Sequence, residues 1–290
     1  MTLTAREKTE VDAANASGRP PTVFIHGLWL LAGSWDPWRS RFEEKGYTTL
    51  APGWPDDPET VEEARAHPEA FAGRSVGQVT DHYAEVIAEL TRKPVVVGHS
   101  FGGLIAQKLA GLGLVAGAVA IDPAPFRGVL PLPFSALKAS SPVLRSPGNR
   151  NKAVPLTFDQ FRYAFANAVP EAEARSLYDT YAVPAPGRPL FQAAFANLDP
   201  RTEASVVVDN HDRGPLLVIS GERDHTVPTS MSRAAYKRHH RSSAPSEFVE
   251  MPGRGHSLTI DSGWTEVADA ALAFFERQGL APGAPDAPAG

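Results

Sequence analysis

Ser100 lies in Gly98-His99-Ser100-Phe101-Gly102, a G-x-S-x-G pattern that follows an apolar run at 94–98 and opens a helical pattern at 102–112. A serine at a tight strand-to-helix corner is held out at the carboxyl end of a sheet, where its hydroxyl can attack a carbonyl carbon. Such a corner leaves no room for side chains beside the serine, and glycines at 98, 102 and 103 meet that need. The helix N-terminus behind it supplies N–H donors and partial positive charge where an oxyanion would form. The same pattern also fits an ordinary glycine-rich turn with a capping serine, so its companions decide between the two readings.

A serine nucleophile needs a base, and in strand–turn–helix hydrolases the chain order is serine, acid, histidine. Of nine histidines, 26, 67, 82 and 99 precede Ser100 or adjoin it. His239 and His240 fall on a helix expected to face solvent, and His211 lies in a polar loop before a strand, at the wrong end of a sheet. His225 abuts the best acid. His256, in Pro252-Gly253-Arg254-Gly255-His256, follows the last apolar run in a glycine-rich loop and is the expected base. For the acid, Asp224 in the loop 220–228 is preferred, because that loop leads most directly to His256. Asp122 in Ile121-Asp122-Pro123 is the competitor, with an alternative role closing a strand or anchoring an insertion.

His26-Gly27-Leu28-Trp29 ends the first clear strand, so the Leu28 N–H is the natural second oxyanion donor beside that of Phe101. His26 itself reads equally well as a structural residue. Trp29, with Phe161 and Phe195 further on, is expected to line the substrate pocket, although core packing competes for each.

The elements that must carry these groups are legible as short apolar runs alternating with helical spacing. Strands are expected at 22–25, 47–50, 94–98, 115–121, 216–219 and 247–251, and helices at 35–44, 75–90, 102–112, 230–241 and 264–277. Unbroken apolar runs mean strands covered on both faces, hence a mainly parallel, doubly wound α/β sheet. Between about 124 and 208 the rhythm lapses into a proline-rich, aromatic stretch with helical pieces at 158–167 and 171–181, and a strand at 205–208. This reads as an inserted helical cap, its proline-rich first half extended and its second half helical. Residues 1–21 form a polar segment with an edge strand or loop; 22–278 form the main domain; the Pro/Ala/Gly tail 279–290 is expected to be disordered.

Net charge is −5, and the run Lys237-Arg238-His239-His240-Arg241 is too short for a basic stripe, which argues against nucleic acid as a partner. There is no cysteine, so thiol catalysis and cysteine metal sites are excluded. No signal-peptide core and no run of about 18 apolar residues is present, so a cytoplasmic protein is expected. No exposed apolar segment is legible, and no membrane partner is expected.

Together, HGLW (26–29), GHSFGG (98–103), GERDHTVP (221–228) and GRGHSL (253–258) resemble the α/β-hydrolase superfamily, in its serine esterase-like branch. The resemblance runs from about residue 20 to 278 and implies the α/β-hydrolase fold, with the cap covering Ser100. The expected function is cleavage of a small to medium hydrophobic ester or lactone through Ser100, His256 and Asp224, with no metal or organic cofactor. Competing readings are another reaction of the same triad, such as perhydrolysis or cyanohydrin cleavage, and a non-catalytic ligand receptor on the same fold.

Overall fold

The computed structural model of the protein describes residues 3–283. Helix α1 (Ala5–Ser17) is followed by β1 (Pro21–Ile25), α2 (Asp36–Glu44), β2 (Thr48–Leu50), α3 (Val61–Ala66), α4 (Val76–Ala88), β3 (Val95–His99), α5 (Phe101–Gly111) and β4 (Gly117–Ile121). The excursion that follows holds α6 (Phe134–Leu144), β5 (Ala153–Val154), α7 (Phe158–Ala164), α8 (Glu171–Tyr181), β6 (Ala185–Pro186) and α9 (Arg188–Ala194). Alternation resumes with β7 (Leu216–Gly221), α10 (Thr229–Arg238), β8 (Ser246–Met251) and α11 (Trp264–Arg277).

The main sheet runs β2-β1-β3-β4-β7-β8, and every pairing in it is parallel. Successive residues of each strand enter opposite layers. Val23, Ile25, Val96, Ala118 and Val218 pack with α4, α5 and α10, whereas Phe24, Val97, Val119 and Ile219 pack with α2 and α11. Both faces are therefore covered, which explains why the strands read as unbroken apolar runs. Parallel pairing also puts every strand's carboxyl end on one edge. Ile25 registers with Gly98, His99 with Ile121, Ile121 with Ile219, and Gly221 with Met251, so the segments after β1, β3, β4, β7 and β8 emerge side by side. The chain order reverses direction between β1 and β3, the place where such sheets leave a crevice.

Four expectations about elements are corrected. The N-terminal segment is a helix rather than an edge strand. Thr4 and Glu7 form a capping box, Gly18 ends the helix at φ 64°, and buried Glu7 meets His82 Nε2 at 2.8 Å. Few apolar residues mark α1 because only Glu7, Val11 and Ala14 of its side chains are buried. Residues 205–208 form no strand, since β7 already has β4 and β8 as neighbours; they run over α5, where Lys108 Nζ donates to the carbonyls of Glu203 and Ser205. The first half of the excursion is not extended throughout, because α6 tolerates Pro142 in its last turn. The Lys138 carbonyl that Pro142 cannot satisfy accepts instead from the Ser141 hydroxyl at 2.8 Å. His239 is not at the surface: it is fully buried and its Nε2 lies 2.9 Å from Gln107 Oε1 on α5.

Of the tail, residues 279–283 are described, with Leu280 packed against the α2/α11 layer and its carbonyl accepting from the Tyr47 hydroxyl. The rest of the expected disordered tail, 284–290, lies outside the described residues. Among the described residues no helix is long and apolar enough to cross a membrane.

Candidate active site

Ser100 joins β3 to α5 in the left-handed region, at φ 57° and ψ −118°, a conformation a serine holds only against strain of about 1–3 kcal/mol. Its N–H donates to the Ile121 carbonyl, and its own carbonyl accepts from Ala124, both at 2.9 Å, so β4 pins the corner. The flanking glycines are needed to different degrees. A Cβ on Gly98 would stand 2.1 Å from the Gly102 carbonyl oxygen, and one on Gly102 would stand 2.0 Å from that of Ile25. At Gly103 the nearest atom would be 3.1 Å away, a tight contact rather than a collision. Gly27 lets the β1 exit pass against the corner, since a Cβ there would meet Ser100 Cβ at 2.8 Å.

Leu28 and Phe101 are both buried beside this corner, and among the described residues neither backbone N–H donates to a protein acceptor. Buried amides are rarely left unpaired, so these two donors are available to a group entering beside Ser100. The strand exit bearing Leu28 is braced from behind. His26 Nδ1 donates to the Gly27 carbonyl at 2.9 Å, and its Nε2 is 3.1 Å from Asp57, which also accepts from the Trp54 N–H. Burial pushes the Asp57 carboxyl above its ordinary range despite the nearby His26 imidazole. Asp57 carries no motif and could be found only through the fold.

His256 follows β8 and Asp224 follows β7, as expected. His256 Nδ1 donates to Asp224 Oδ2 at 2.6 Å, with His256 fully buried. Asp224 Oδ1 accepts from the N–H groups of Thr226 and Val227, at 2.6 and 2.9 Å. Three hydrogen bonds thus hold this carboxylate, and the one from Nδ1 orients the imidazole. Its other nitrogen, Nε2, is buried and has no hydrogen-bond partner. Phe165 packs edge-on against the imidazole, with ring centroids 4.8 Å apart.

Asp122, the competing acid, is also fully buried but makes no hydrogen bond to His256. Its Oδ1 accepts from the Gly221 N–H at 2.8 Å and its Oδ2 is unpartnered. Burial first, and then the neighbouring Asp224 carboxylate, push Asp122 well above the ordinary carboxyl range. His99 stacks obliquely on His256 with centroids 4.6 Å apart; burial first, and then the adjacent His256 imidazole, hold it well below the usual histidine range. It acts as a neutral plate under the imidazole.

The end of α7 ties these loops together. The Ser257 N–H donates to the Phe165 carbonyl, His225 Nδ1 to that of Tyr163, the Thr226 hydroxyl to that of Ala164, and Asn167 Nδ2 to that of Arg223. This clamp, invisible in the sequence, joins the loops of both Asp224 and His256.

A cavity of about 110 Å³ opens at Ser100, walled by Trp29, Phe101, Leu137, Leu190, Val227 and Met231 among others. Trp29 stands on this wall; its backbone is left-handed at φ 64°, and its indole N–H donates to the Val154 carbonyl. Phe161 and Phe195 do not line the cavity. Phe161 is fully buried, stacked on Phe165 with centroids 5.0 Å apart, because α7 turns that face toward the interior of the cap. Phe195 is 53% exposed, beyond the end of α9. Small residues that no aromatic signal marks, Ala136, Ala139 and Ala193, hold their places on the wall. Of two larger grooves elsewhere, one includes Phe195, and neither includes Ser100, His256 or Asp224.

Residues 22–270 match the model of the Alpha/beta hydrolase family. A search of curated proteins finds no match. Among solved structures, the monoacylglycerol lipase of Paleococcus ferrophilus is 20% identical with TM-score 0.62, covering 90% of this chain and 96% of its own. An extracellular alpha/beta-hydrolase from a Paenibacillus species, described as sharing structural and functional homology with tobacco salicylic acid binding protein 2, is 20% identical with TM-score 0.63, over 88% and 98% of the two chains. A putative non-heme bromoperoxidase from Mycobacterium tuberculosis is similar at 20% identity and TM-score 0.62, over 89% and 92%. At these identities the likeness is one of fold.

Proposed function

The chain belongs to the alpha/beta hydrolase family, and we propose that it is a serine hydrolase acting on a small hydrophobic ester or lactone. The observation that carries the reading is the buried His256–Asp224 pair at 2.6 Å, its Nε2 unpartnered, on the same sheet edge as a strained serine. In this reading His256 Nε2 takes the proton of Ser100 Oγ as that oxygen bonds to the substrate carbonyl carbon. The carbonyl oxygen becomes an oxyanion held by the Leu28 and Phe101 N–H groups. When the intermediate collapses, the carbon–oxygen bond to the alcohol breaks, and the alcohol leaves with the proton from His256. Water then repeats the sequence on the acyl-enzyme and frees the acid and Ser100.

The cavity supports the substrate class. Its walls are apolar, and about 110 Å³ is well below the roughly 300–1,000 Å³ that enclose a whole drug-sized ligand. One short arm of the substrate fits inside, with the remainder directed outward.

Exposure to an organophosphonate probe is the direct test. One adduct per chain is expected, at Ser100, and none on the Ser100→Ala protein. An adduct that persists in Ser100→Ala, or a chain that takes up no probe while folded, overturns the reading.

The cavity walls set a second expectation. Ala193→Phe fills part of the space and should lower kcat/KM for a hexanoyl ester relative to an acetyl ester by about tenfold, the scale of one or two methylenes in an apolar pocket. Phe195→Ala should leave that ratio unchanged. Phe161→Ala should instead cost about 3–5 kcal/mol of stability, because it empties a fully buried site. A chain-length profile that follows Phe161 or Phe195 and ignores Ala193 would place the pocket elsewhere.

A further inference from the structure

The cap turns an apolar face to solvent at the mouth of the Ser100 cavity. Leu130 is 76% exposed, Leu132 63%, Phe134 79%, Leu137 43%, Phe195 53% and Leu198 79%. Of the exposed large apolar side chains among the described residues, only Leu112 and Val207 lie outside this group. The two stretches are joined. Asn197 accepts from the Gly128 N–H at 2.7 Å and donates to the Val129 carbonyl at 2.9 Å, which ties the segment before Leu198 to the segment before Leu130. The patch also continues into the cavity, because Leu132 and Leu137 belong to both. Concentrated exposed apolar surface of this kind marks a binding face rather than scattered surface leucines.

Charge indicates what that face meets. Between Asp122 and Asp159 the chain has no acidic residue and carries Arg127, Lys138, Arg145, Arg150 and Lys152, although the protein as a whole is net negative at −5. On α6 the two properties share one side. Phe134, Leu137, Lys138 and Ser141 are exposed, at helical spacing, and exposed Arg145 follows on the same side; Ala136, Ala139 and Val143 face inward. An apolar strip edged by cations is the pattern of a segment seated at the boundary between acyl chains and anionic headgroups. We propose that this face of the cap docks on anionic phospholipid bilayers, presenting the cavity mouth to the lipid. No local pattern marks it, because the apolar residues are interrupted by prolines and become one surface only through the fold of the cap. The proposal goes beyond the hydrolase reading and does not require Ser100 to be reactive.

Co-sedimentation of the full-length protein with vesicles tests it. The parent should pellet with vesicles of equal parts phosphatidylcholine and phosphatidylglycerol, and should stay in solution with phosphatidylcholine alone. Raising the salt to about 1 M, where the screening length falls to about 3 Å, should release it. The Leu130→Ser/Phe134→Ser protein and the Arg145→Glu/Arg150→Glu protein should each partition about tenfold less, with unchanged thermal melts. None of these four side chains lines the cavity. Failure of the parent to bind anionic vesicles at low salt overturns the proposal, as does equal binding to neutral vesicles or undiminished binding by either double variant. A concentration-dependent dimer in sedimentation velocity that is lost in Leu130→Ser/Phe134→Ser, without vesicle binding, assigns the face to a second copy of the chain and overturns it too.

Discussion

Asp224→Asn is expected to lower kcat about 10⁴-fold, and Asp122→Asn less than about tenfold, although both carboxyls are buried on the same sheet edge. The 10⁴ figure is the one established for the orienting acid of serine protease triads, and the geometry here gives the same reason. An asparagine at 224 keeps the Thr226 and Val227 N–H groups satisfied only with its carbonyl oxygen at the Oδ1 position. Its amide nitrogen then faces His256 Nδ1 and donates to it. The imidazole proton is driven to Nε2, which can no longer accept from Ser100. Asp122 stands differently. It makes no hydrogen bond to His256, and an asparagine of the same shape still accepts from the Gly221 N–H. Steady-state kinetics on a chromogenic ester, with a melting curve for each variant, checks the ranking. The reverse order would move the acid to Asp122.

Gly102→Ala is expected to remove activity and to destabilise the protein by about 4 kcal/mol or more, the range reached when a packed backbone must be forced apart. The new methyl would lie 2.0 Å from the Ile25 carbonyl oxygen and 2.7 Å from that of His26, so the first turn of α5 must leave β1 or Ser100 must leave its conformation. No rotamer change relieves a clash of Cβ with backbone. Gly103→Ala is the control: its methyl meets Pro123 at 3.1 Å, which a shift of a few tenths of an ångström relieves. Thermal unfolding and probe labelling of the two proteins should differ sharply. Equal melting temperatures would mean that the corner is looser than its glycines imply.

Features carried by contiguous residues were legible in the sequence. The β3 run, the GHSFGG corner and the start of α5 are neighbours in the chain, and a two-sided sheet writes itself as unbroken apolar segments. The helices α8 and α11 span the very residues expected of them. What escaped depends on residues far apart. Helix α1 hides behind polar side chains because its buried face includes Glu7, paired with His82 across 75 positions. The nearness of Asp122 to Asp224 arises from the pairing of β4 with β7, which no local pattern reports. The cavity wall was sought among aromatics and is built largely of alanine and leucine, because the large rings fill the cap's own interior.

The bonds from the end of α7 to the loops of Asp224 and His256 divide the cap for anyone who would redesign it. Residues 163–167 belong mechanically to the loops of Asp224 and His256: a graft that replaces them carries away the acceptors for Ser257, Thr226 and His225 together. The α6 and α9 portions make no such bonds to those loops and supply much of the cavity wall. A transplanted substrate preference should therefore travel with residues 129–157 and 187–198, leaving α7 native as the seam between the exchangeable part and the fixed one.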